Sequence, residues 1–370
     1  MAYESLVHSG WQGVLERLGG TVHLEHEARE TKAFRRPRGV KCAVDLLRLT
    51  LAYCLGSMGL RLTAAWAEAA GVASLSNVAL LKRLRNMLPW LEVLVGRLLA
   101  AASGGQAVPA AKGRLIRIVD ATVVAKAGRQ DREAGGVWRV HAVFDLPAER
   151  FSAFELTDEL GGECFDRSAV VPGEIRLGDR AYLQPDRMAA VLEAGADIVV
   201  RARWNGARWL DANGGKLDLV ELLKKARNKD CLDLPIWIGR AGGEPLALRL
   251  IAIRKPPEAV EKTQARLKAK AKQKQRVLQD ATLVAAGWVI LITSLDAAAF
   301  TASAVGDLYR LRWRIEIAFK HLKSGAGLAR PPGEDASVAK VHVLCHLLTI
   351  LLTEPLLAEQ LGDSPRREAA

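Results

Sequence analysis

The feature that most constrains the fold is a series of apolar, β-branched segments that begins at Arg114, after about a hundred residues with helical periodicity. Segments of this kind, bounded by turn residues, are typical of buried strands. Six of them occur, at residues 114–124, 137–146, 151–156, 174–177, 197–203 and 288–295. A helix that begins with a proline, Pro185–Ala194, separates the fourth from the fifth, and a long helical stretch, Ala302–Lys323, follows the sixth. The order predicts three consecutive strands followed by strands that helices separate.

The same order predicts an α/β protein with a ribonuclease-H-like core that is interrupted before its last helix. The core would comprise residues 114–203 and 288–361. Residues 204–287 differ in character and predict an inserted β-rich module with a hairpin at a glycine pair. Residues 1–105 predict a helical N-terminal domain, and the small residues at 104–113 are typical of a linker.

The net charge of +12 is concentrated in two short tracts. Residues 32–41 hold five basic residues and no acid, and residues 262–276 hold seven basic residues and no acid. The rest of the chain is therefore balanced. Two local basic tracts on a neutral body indicate docking sites for a polyanion, although each tract could also be a solvated face or a mobile loop.

Cysteine and apolar content exclude several classes of protein. The five cysteines form no C-x-x-C pair and indicate reduced thiols, so a disulfide framework or a zinc site is not expected. The longest apolar stretch, Val341–Leu352, contains two histidines and is too short to span a bilayer. The amino terminus lacks the apolar core of a secretion signal, so a cytoplasmic location is expected.

The N-terminal region contains a loose helix-turn-helix outline. Ser76 can cap a helix whose basic residues Lys82, Arg83 and Arg85 lie on a different face from its leucines, and a turn at Gly71 precedes it. The outline is compatible with a helix that reads DNA and also with an ordinary helical hairpin, and the sequence leaves both open.

Three acids occupy positions that such a core would bring together. Asp120 lies inside the first strand, Asp179 ends the fourth, and Glu316 lies in the long helix. A carboxylate in a buried strand is costly unless it is paired or binds metal, and three oxygen donors without His or Cys suit Mg²⁺ or Mn²⁺. Two such ions can activate a hydroxyl and stabilise the leaving oxygen of a phosphodiester. Asp145 and Asp158 end strands without a supporting motif and are interpreted as ordinary turn or surface acids.

The long helix carries a second constellation. Tyr309, Arg312, Glu316 and Lys323 are three, four and seven residues apart, and these spacings place them on one helical face. A phenol, a guanidinium and an ammonium beside a carboxylate suit a nucleic-acid phosphate next to a metal site. An amphipathic helix with an ordinary Arg312–Glu316 ion pair would give the same spacing.

This spacing resembles the Y-R-E-K signature of the DDE transposases of insertion-sequence family four, which include the Tn-five-type cut-and-paste enzymes. The strings VDAT around Asp120 and GDRAY around Asp179 are similar to the two aspartate motifs of that family. The long gap before Glu316 is similar to the family's β-rich insertion, and FRRPRGV near Phe34 resembles its helical N-terminal region. The resemblance covers roughly residues 30–355.

The resemblance implies a role for individual residues. Two divalent ions, Mg²⁺ or Mn²⁺, would be held by the three acids, and the phosphate at the cleaved DNA end by the other signature residues, Tyr309, Arg312 and Lys323. Trp288 stands where the family places an aromatic that stacks on a flipped base, and Arg201 where a basic residue approaches the same DNA end. A core position for Trp288 and a solvated one for Arg201 remain open.

The two basic tracts would, on the same resemblance, grip the DNA backbone. The residues implied are Arg35, Arg36 and Arg38 in the first tract and Lys268, Lys270, Lys272 and Lys274 in the second.

The resemblance thus implies a bacterial insertion-sequence transposase that cleaves the ends of its element, passes through a DNA hairpin and joins the ends to target DNA. Its partners would be the terminal inverted repeats, the target DNA and a second copy of the chain in a synaptic homodimer. The residues after Lys323 are too few for the C-terminal dimerisation domain of some members, so either synapsis would use other surfaces or this copy has lost a part of the protein. Two rival hypotheses remain, a structure-selective DNA nuclease without strand transfer and a non-catalytic DNA-binding regulator.

Overall fold

The structure is a computed structural model that describes residues 2–56, 58–100, 111–125, 136–320, 322–323, 328, 331 and 335–361. Side chains are described from Gly10 and as far as Thr353, within those ranges. The linker expected at 104–113 lies mostly outside the described residues.

The N-terminal region is helical, as the sequence predicts. Its helices are α1 (Ala2–Arg17), α2 (Gly20–Glu30), α3 (Ala43–Leu55), α4 (Leu60–Ala69), α5 (Asn77–Asn86) and α6 (Leu88–Ala100). The Ser76 hydroxyl caps α5 by accepting a hydrogen bond from the Ala79 amide at 3.2 Å, which confirms the predicted start of that helix. Buried leucines of α2, α3, α5 and α6 form one core with the sheet that follows.

Nine strands form a single sheet in the part of the chain that is described. They are β1 (Ile116–Ala125), β2 (Val137–Asp145), β3 (Arg150–Thr157), β4 (Ile175–Gly178), β5 (Asp197–Arg201), β6 (Arg208–Leu210), β7 (Cys231–Gly239), β8 (Leu246–Arg254) and β9 (Trp288–Thr293). Their order across the sheet is β3-β2-β1-β4-β5-β9-β8-β7-β6. β4 is parallel to β1 and to β5, and the other neighbours are antiparallel. Each of the six predicted strands is present within two residues of its expected bounds, and the α/β class is confirmed.

The inserted residues extend this sheet and do not form a separate β module. Thr293 of β9 lies opposite Val199 of β5 on one side and opposite Arg249 of β8 on the other, so β9 joins the two halves. Helices α8 (Leu219–Lys225), α9 (Pro257–Gln273) and α10 (Asp280–Ala286) alternate with the inserted strands. The insertion is therefore mixed α and β, where the sequence predicted a β-rich module.

Helices cover both faces of the sheet, because successive side chains of a strand point to opposite faces. Ile118 and Leu177 belong to the face that packs against α6, α11 (Ala302–Arg310), α12 (Trp313–Lys320) and α13 (Ala336–Leu361). Val119 and Ile198 belong to the opposite face, which packs against α7 (Pro185–Glu193), α8 and α10. A side chain's place in its strand therefore decides which helical layer it meets.

The long helix predicted at 302–323 is broken into α11 and α12. Between them the backbone bonds shorten to three-residue spacing, with Arg312 N–H donating to the Tyr309 carbonyl and Arg314 N–H to that of Leu311, at 3.1 and 3.0 Å. A tighter turn advances each residue by about 120° where an α-helix advances it by about 100°. Glu316 is therefore rotated about the axis relative to Tyr309, and one straight helical face does not hold all four signature residues.

Helix α13 is longer than the apolar stretch 341–352 suggested. It is long and apolar enough to cross a membrane by length and composition alone, so the expectation based on the length of 341–352 was wrong. However, 67% of its apolar window, Ala336–Thr353, is buried in the protein, and the helix packs against α3 and α6. His342 and His346 on this helix are buried, with ring centroids 4.3 Å apart, and this burial makes α13 a core helix.

Candidate active site

Asp120 lies within β1 on the face that packs against α12. Its neighbours on that face, Ile118 and Val124, are buried, and the carboxylate itself is 16% exposed. The Ala121 amide donates to Asp120 Oδ1 at 2.8 Å. Burial raises the pKa of Asp120 to about 6, against the lowering effect of that amide and of the Arg312 guanidinium. An acid held in this way favours a cation beside it.

Asp179 is brought next to Asp120 by the parallel pairing of β1 and β4. Ile118 lies opposite Leu177 in the register, so Asp120 and Asp179 each come two residues further along adjacent strands. Asp179 ends its strand and caps a single 3₁₀ turn, with Oδ1 accepting a hydrogen bond from the Ala181 amide at 2.7 Å. Parallel strand ends at one sheet edge are a common place for ligand-binding side chains. The negative charge of Asp179 is one of the influences that raise the pKa of Asp120.

The third predicted acid, Glu316, reaches Asp120 through an arginine. Arg312 Nη1 lies 3.3 Å from Asp120 Oδ2, and Arg312 Nη2 donates to Glu316 Oε1. The arginine side chain is 16% exposed, whereas that of Glu316 is 58% exposed. One guanidinium thus bridges the first and third acids, where the sequence left open a simple helical Arg312–Glu316 pair.

The donor set fits a hard divalent cation, although the three acids are not drawn together. Carboxylate oxygens are the ligands that Mg²⁺ and Mn²⁺ prefer, and the Arg312 guanidinium already stands as a positive charge between two of them. Among the described residues no group of three or more His, Cys, Asp or Glu lies close enough to enclose one ion. The guanidinium therefore occupies the position beside Asp120 and Glu316 that a cation shared by these two carboxylates would need.

A cleft beside these acids gathers other predicted residues. Arg201, Tyr309 and Arg312 line a cavity of about 250 Å³ whose floor is apolar. Tyr309 is 9% exposed, and Arg312 lies 5.9 Å from the centre of its ring. Burial raises the pKa of the Tyr309 phenol, so it stays a neutral donor. Lys323 is half-buried in the short turn after α12, where burial lowers its pKa.

Trp288 and Trp313 lie on opposite sides of the sheet. The Trp288 side chain is 4% exposed and packs with the core opposite the cleft, and the Arg254 guanidinium covers its ring at 4.2 Å. This position is unfavourable for the base-stacking role expected of Trp288. Trp313, by contrast, is 37% exposed and lines the cleft beside Arg312. Sequence reasoning missed it, although it is the residue after the signature arginine.

Glu163 is a further acid that sequence reasoning missed. Its charge contributes to the raised pKa of Asp120, and burial followed by the charge of Asp179 raises its own pKa. Its carboxylate lies 3.8 Å from Arg139 Nε on β2. No motif marked Glu163, because it lies in an irregular segment between β3 and β4 and approaches the other acids only through the fold.

Both basic tracts are exposed. Arg35, Arg36 and Arg38 lie in a loop between buried Phe34 and Val40. The second tract lies on α9, which has no buried residue, and continues through its C-cap. Its implied DNA contacts are all exposed: Lys268, Lys270, Lys272 and Lys274.

Comparison with known proteins identifies the family of this chain. Residues 111–352 match the model of the transposase DDE domain. The chain is 38% identical over 368 residues to the transposase of insertion sequence element IS421 of Escherichia coli, and 38% identical over 367 residues to the InsL protein of element IS186A of Escherichia coli K12, described as a transposase; each match covers 97% of both chains. The transposase of IS231F of Bacillus thuringiensis is 22% identical over 231 residues, 56% of this chain and 47% of its own. The chain therefore belongs to the DDE transposase family and is an insertion-sequence transposase.

Proposed function

We propose that this chain cleaves the ends of its own insertion element in a metal-dependent reaction and joins the freed ends to target DNA. The observation that carries the proposal is the placement of Asp120, on β1, beside Asp179, which directly follows the parallel strand β4, with Arg312 linking Asp120 to Glu316. Membership of the Y-R-E-K group of insertion-sequence family four is part of the proposal and rests on the signature residues.

The sheet supports a ribonuclease-H-like catalytic core. Its first five strands have the order β3-β2-β1-β4-β5, with β2 antiparallel and β4 parallel to β1. Such a core is formed by residues 114–203 and 288–361 in our proposal, with 204–287 as the insertion and 1–105 as the N-terminal DNA-binding domain. The continuous sheet gives the insertion a fixed position relative to the acids.

The proposed chemistry is in-line displacement at phosphorus. Asp120, Asp179 and Glu316 would hold two divalent ions, Mg²⁺ or Mn²⁺, which when bound activate the attacking oxygen and neutralise the leaving 3′-oxygen. Hydrolysis of one strand would free a 3′-hydroxyl, whose attack on the opposite strand would give a hairpin and release the flanking DNA with its own 3′-hydroxyl. A second hydrolysis would open the hairpin and regenerate the 3′-hydroxyl that attacks target DNA. The phosphate would be held throughout by the cleft residues Arg201, Tyr309 and Arg312, together with Lys323 after α12.

The two basic tracts would bind DNA at a distance from the three acids. The loop with Arg35, Arg36 and Arg38 and the exposed face of α9 are available to backbone phosphates of the element end or the target. A second copy of the chain would complete a synaptic homodimer in the bacterial cytoplasm. For an aromatic that stacks on a displaced base, the exposed Trp313 is better placed than Trp288.

The test is end cleavage by the whole protein with a labelled end duplex in Mg²⁺. Asp120→Ala should abolish cleavage and leave DNA binding intact, whereas Asp145→Asn, a change of the strand-end acid outside the site, should cleave normally. Normal cleavage by Asp120→Ala would refute the proposed centre. Pre-cut ends incubated with plasmid then separate a transposase, which gives joined products, from a nuclease, which gives none.

A non-catalytic regulator would bind the end duplex without metal and would leave it uncut. That outcome for the unaltered protein would overturn the enzymatic proposal and leave only the DNA-binding part of it.

A further inference from the structure

The exposed basic loop of the N-terminal region has a fixed shape. Its two ends are anchored by Phe34, which is fully buried, and by Val40, which pairs with Ala73 in a short bridge. Gly39 has a φ of +74°, and a Cβ there would lie 2.6 Å from the Ser74 carbonyl oxygen. Within the loop the Arg38 amide donates to the Arg36 carbonyl at 2.8 Å. The backbone between the anchors is therefore closely determined.

One side chain from outside supports the loop. Arg83, on α5, donates from Nη2 to the carbonyl oxygens of both Arg36 and Arg38, each at 2.9 Å. Its guanidinium also lies 5.9 Å from the centre of the Phe34 ring, on which Arg29 approaches at 5.4 Å. Arg83 thus bonds the backbone of the residues whose own side chains point to solvent.

This use of Arg83 changes the interpretation of α5. Of the three basic residues that suggested a DNA-reading helix, Arg83 is directed at the loop and Arg85 forms an ion pair with Asp335 at 2.7 Å. Asp335 in turn accepts hydrogen bonds from the first amides of α13. Two of the three cations therefore serve contacts within the protein, and Lys82 remains exposed on the helix.

We propose that Arg83 is a positioning residue that fixes the loop so that Arg35, Arg36 and Arg38 meet the backbone phosphates of a DNA duplex. The inference rests on the proposed function, because it assumes that the loop contacts DNA. Helix α5 then supports a phosphate-binding loop and does not contact base edges.

The charges of the loop explain why the hydrogen bonds from Arg83 would help it to bind DNA. Three arginines within four residues repel one another, and they spread apart in a flexible chain. Two hydrogen bonds from a charged donor to the carbonyls hold the backbone in one conformation. A loop that is ordered before binding loses less conformational entropy when it meets the phosphates.

The test is a double-mutant cycle on DNA binding by the whole protein. Arg83→Met keeps a long stem beside Phe34 but removes both hydrogen bonds, and a triple alanine variant removes the loop side chains at 35, 36 and 38. Binding to an end duplex and to a duplex of unrelated sequence is measured over a range of salt concentrations. Lys82→Met is the matched control, since Lys82 directly precedes Arg83 on the same helix and is exposed.

We expect Arg83→Met to weaken binding about tenfold when the loop arginines are present and by less than about twofold when they are absent. The triple variant should reduce the slope of log K against log salt by roughly three, at about 0.9 per lost phosphate contact. The losses should be equal on both duplexes, because phosphate contacts carry no sequence information. Lys82→Met should bind like the unaltered protein.

Equal losses in both loop backgrounds would overturn the proposal, since Arg83 would then act independently of the loop. A loss confined to the end duplex would also overturn it, because it would indicate base reading by α5. If the triple variant bound DNA like the unaltered protein, the loop would not contact DNA, and the proposed role of Arg83 would be refuted as well. If Arg83→Met unfolds early in a thermal scan, Arg83→Lys replaces it, and it should show the same dependence on the loop with a smaller loss.

Cleavage and joining are measured separately from this cycle. A protein that passes the cycle but never cuts an end duplex would contradict the proposed enzyme and leave the role of Arg83 standing.

Discussion

On the proposed mechanism, Arg312 lies where a divalent cation would bind and where it would also contact a phosphate, so replacing it should have two opposite effects. Its guanidinium contacts Asp120 Oδ2 at 3.3 Å and donates to Glu316 Oε1. A divalent ion that binds between these acids must first replace the guanidinium at Asp120. Arg312→Met should therefore strengthen metal binding to the DNA-free protein and at the same time impair end cleavage.

The size of both effects follows from the contacts. A hydrogen bond to a charged group contributes about 1.5–3 kcal/mol, and the long, partly exposed contact with Asp120 belongs at or just below the lower end of that range. Loss of a competitor worth about 1.4 kcal/mol tightens metal binding about tenfold. Loss of a charged donor aimed at a reacting phosphate typically lowers the rate by roughly 100-fold or more.

The assay is titration of Mn²⁺ into DNA-free protein by calorimetry or paramagnetic resonance, together with single-turnover cleavage of an end duplex. Arg314→Met is the matched control, because Arg314 lies two residues away and pairs with Glu149 outside the site, at 2.9 Å. Metal affinity that is unchanged or weaker in Arg312→Met would refute the competition argument. Cleavage at the normal rate would refute the phosphate contact.

Three further predictions concern stability. Trp288→Ala should lower the free energy of unfolding by about 3–5 kcal/mol, because it leaves a cavity in the core. Trp313→Ala should lower it by about 1 kcal/mol or less and should chiefly weaken cleavage. Denaturant titration and the cleavage assay distinguish the two variants. Arg176→Met should cost about 3–5 kcal/mol in urea unfolding, since it leaves the fully buried carboxylate of Glu174 without its nearest cation, and a loss under 1 kcal/mol would contradict that reasoning. Burial, followed by the charge of the neighbouring His346, lowers the pKa of His342 to about 3. As the pH falls below about 6.5, this histidine is therefore protonated in the unfolded chain but not in the folded protein. The free energy of unfolding should fall by about 1.4 kcal/mol for each pH unit between about pH 6.5 and 3. His342→Leu should flatten the measured fall in stability over that range.

Local patterns were enough to predict the six core strands and the helical N-terminal region, but not the three helices of the insertion or the break between α11 and α12. The strand with Asp120 was recognisable because β-branched residues on both of its faces are buried between two helical layers. The addition of β6, β7 and β8 to the same sheet was not predictable, because it depends on Thr293 pairing with residues of both β5 and β8. Such pairings are set by tertiary packing between distant segments, which periodicity does not record.

The candidate site was predictable where it depends on strand positions and register, and not where it depends on helix rotation. Asp120 and Asp179 follow from β-strand positions and a parallel register. The contact between Arg312 and Asp120 joins residues 192 apart in sequence and requires the tightened turn after Tyr309, which no residue pattern marked. Glu163 was missed for the same reason, because only folding brings it near the other acids.

The positions of the basic tracts that carry the +12 charge are consistent with a role in attracting DNA from a distance. The exposed cations of α9 and of the loop near Arg36 act at high dielectric, where salt screens them within about 10 Å, so they can attract a duplex but cannot stabilise charge at a single reacting phosphate. On the proposed mechanism, bound cations stabilise charge at the reacting phosphate, and partly buried acids would hold those cations. The acids that predominate at the candidate site are Asp120, whose pKa is raised, Asp179 and Glu163. A fixed arginine for every acid would neutralise the site permanently and exclude a metal. On the proposed mechanism Arg312 would serve both states, because its guanidinium pairs with two carboxylates in the DNA-free protein and would contact a phosphate once DNA is bound.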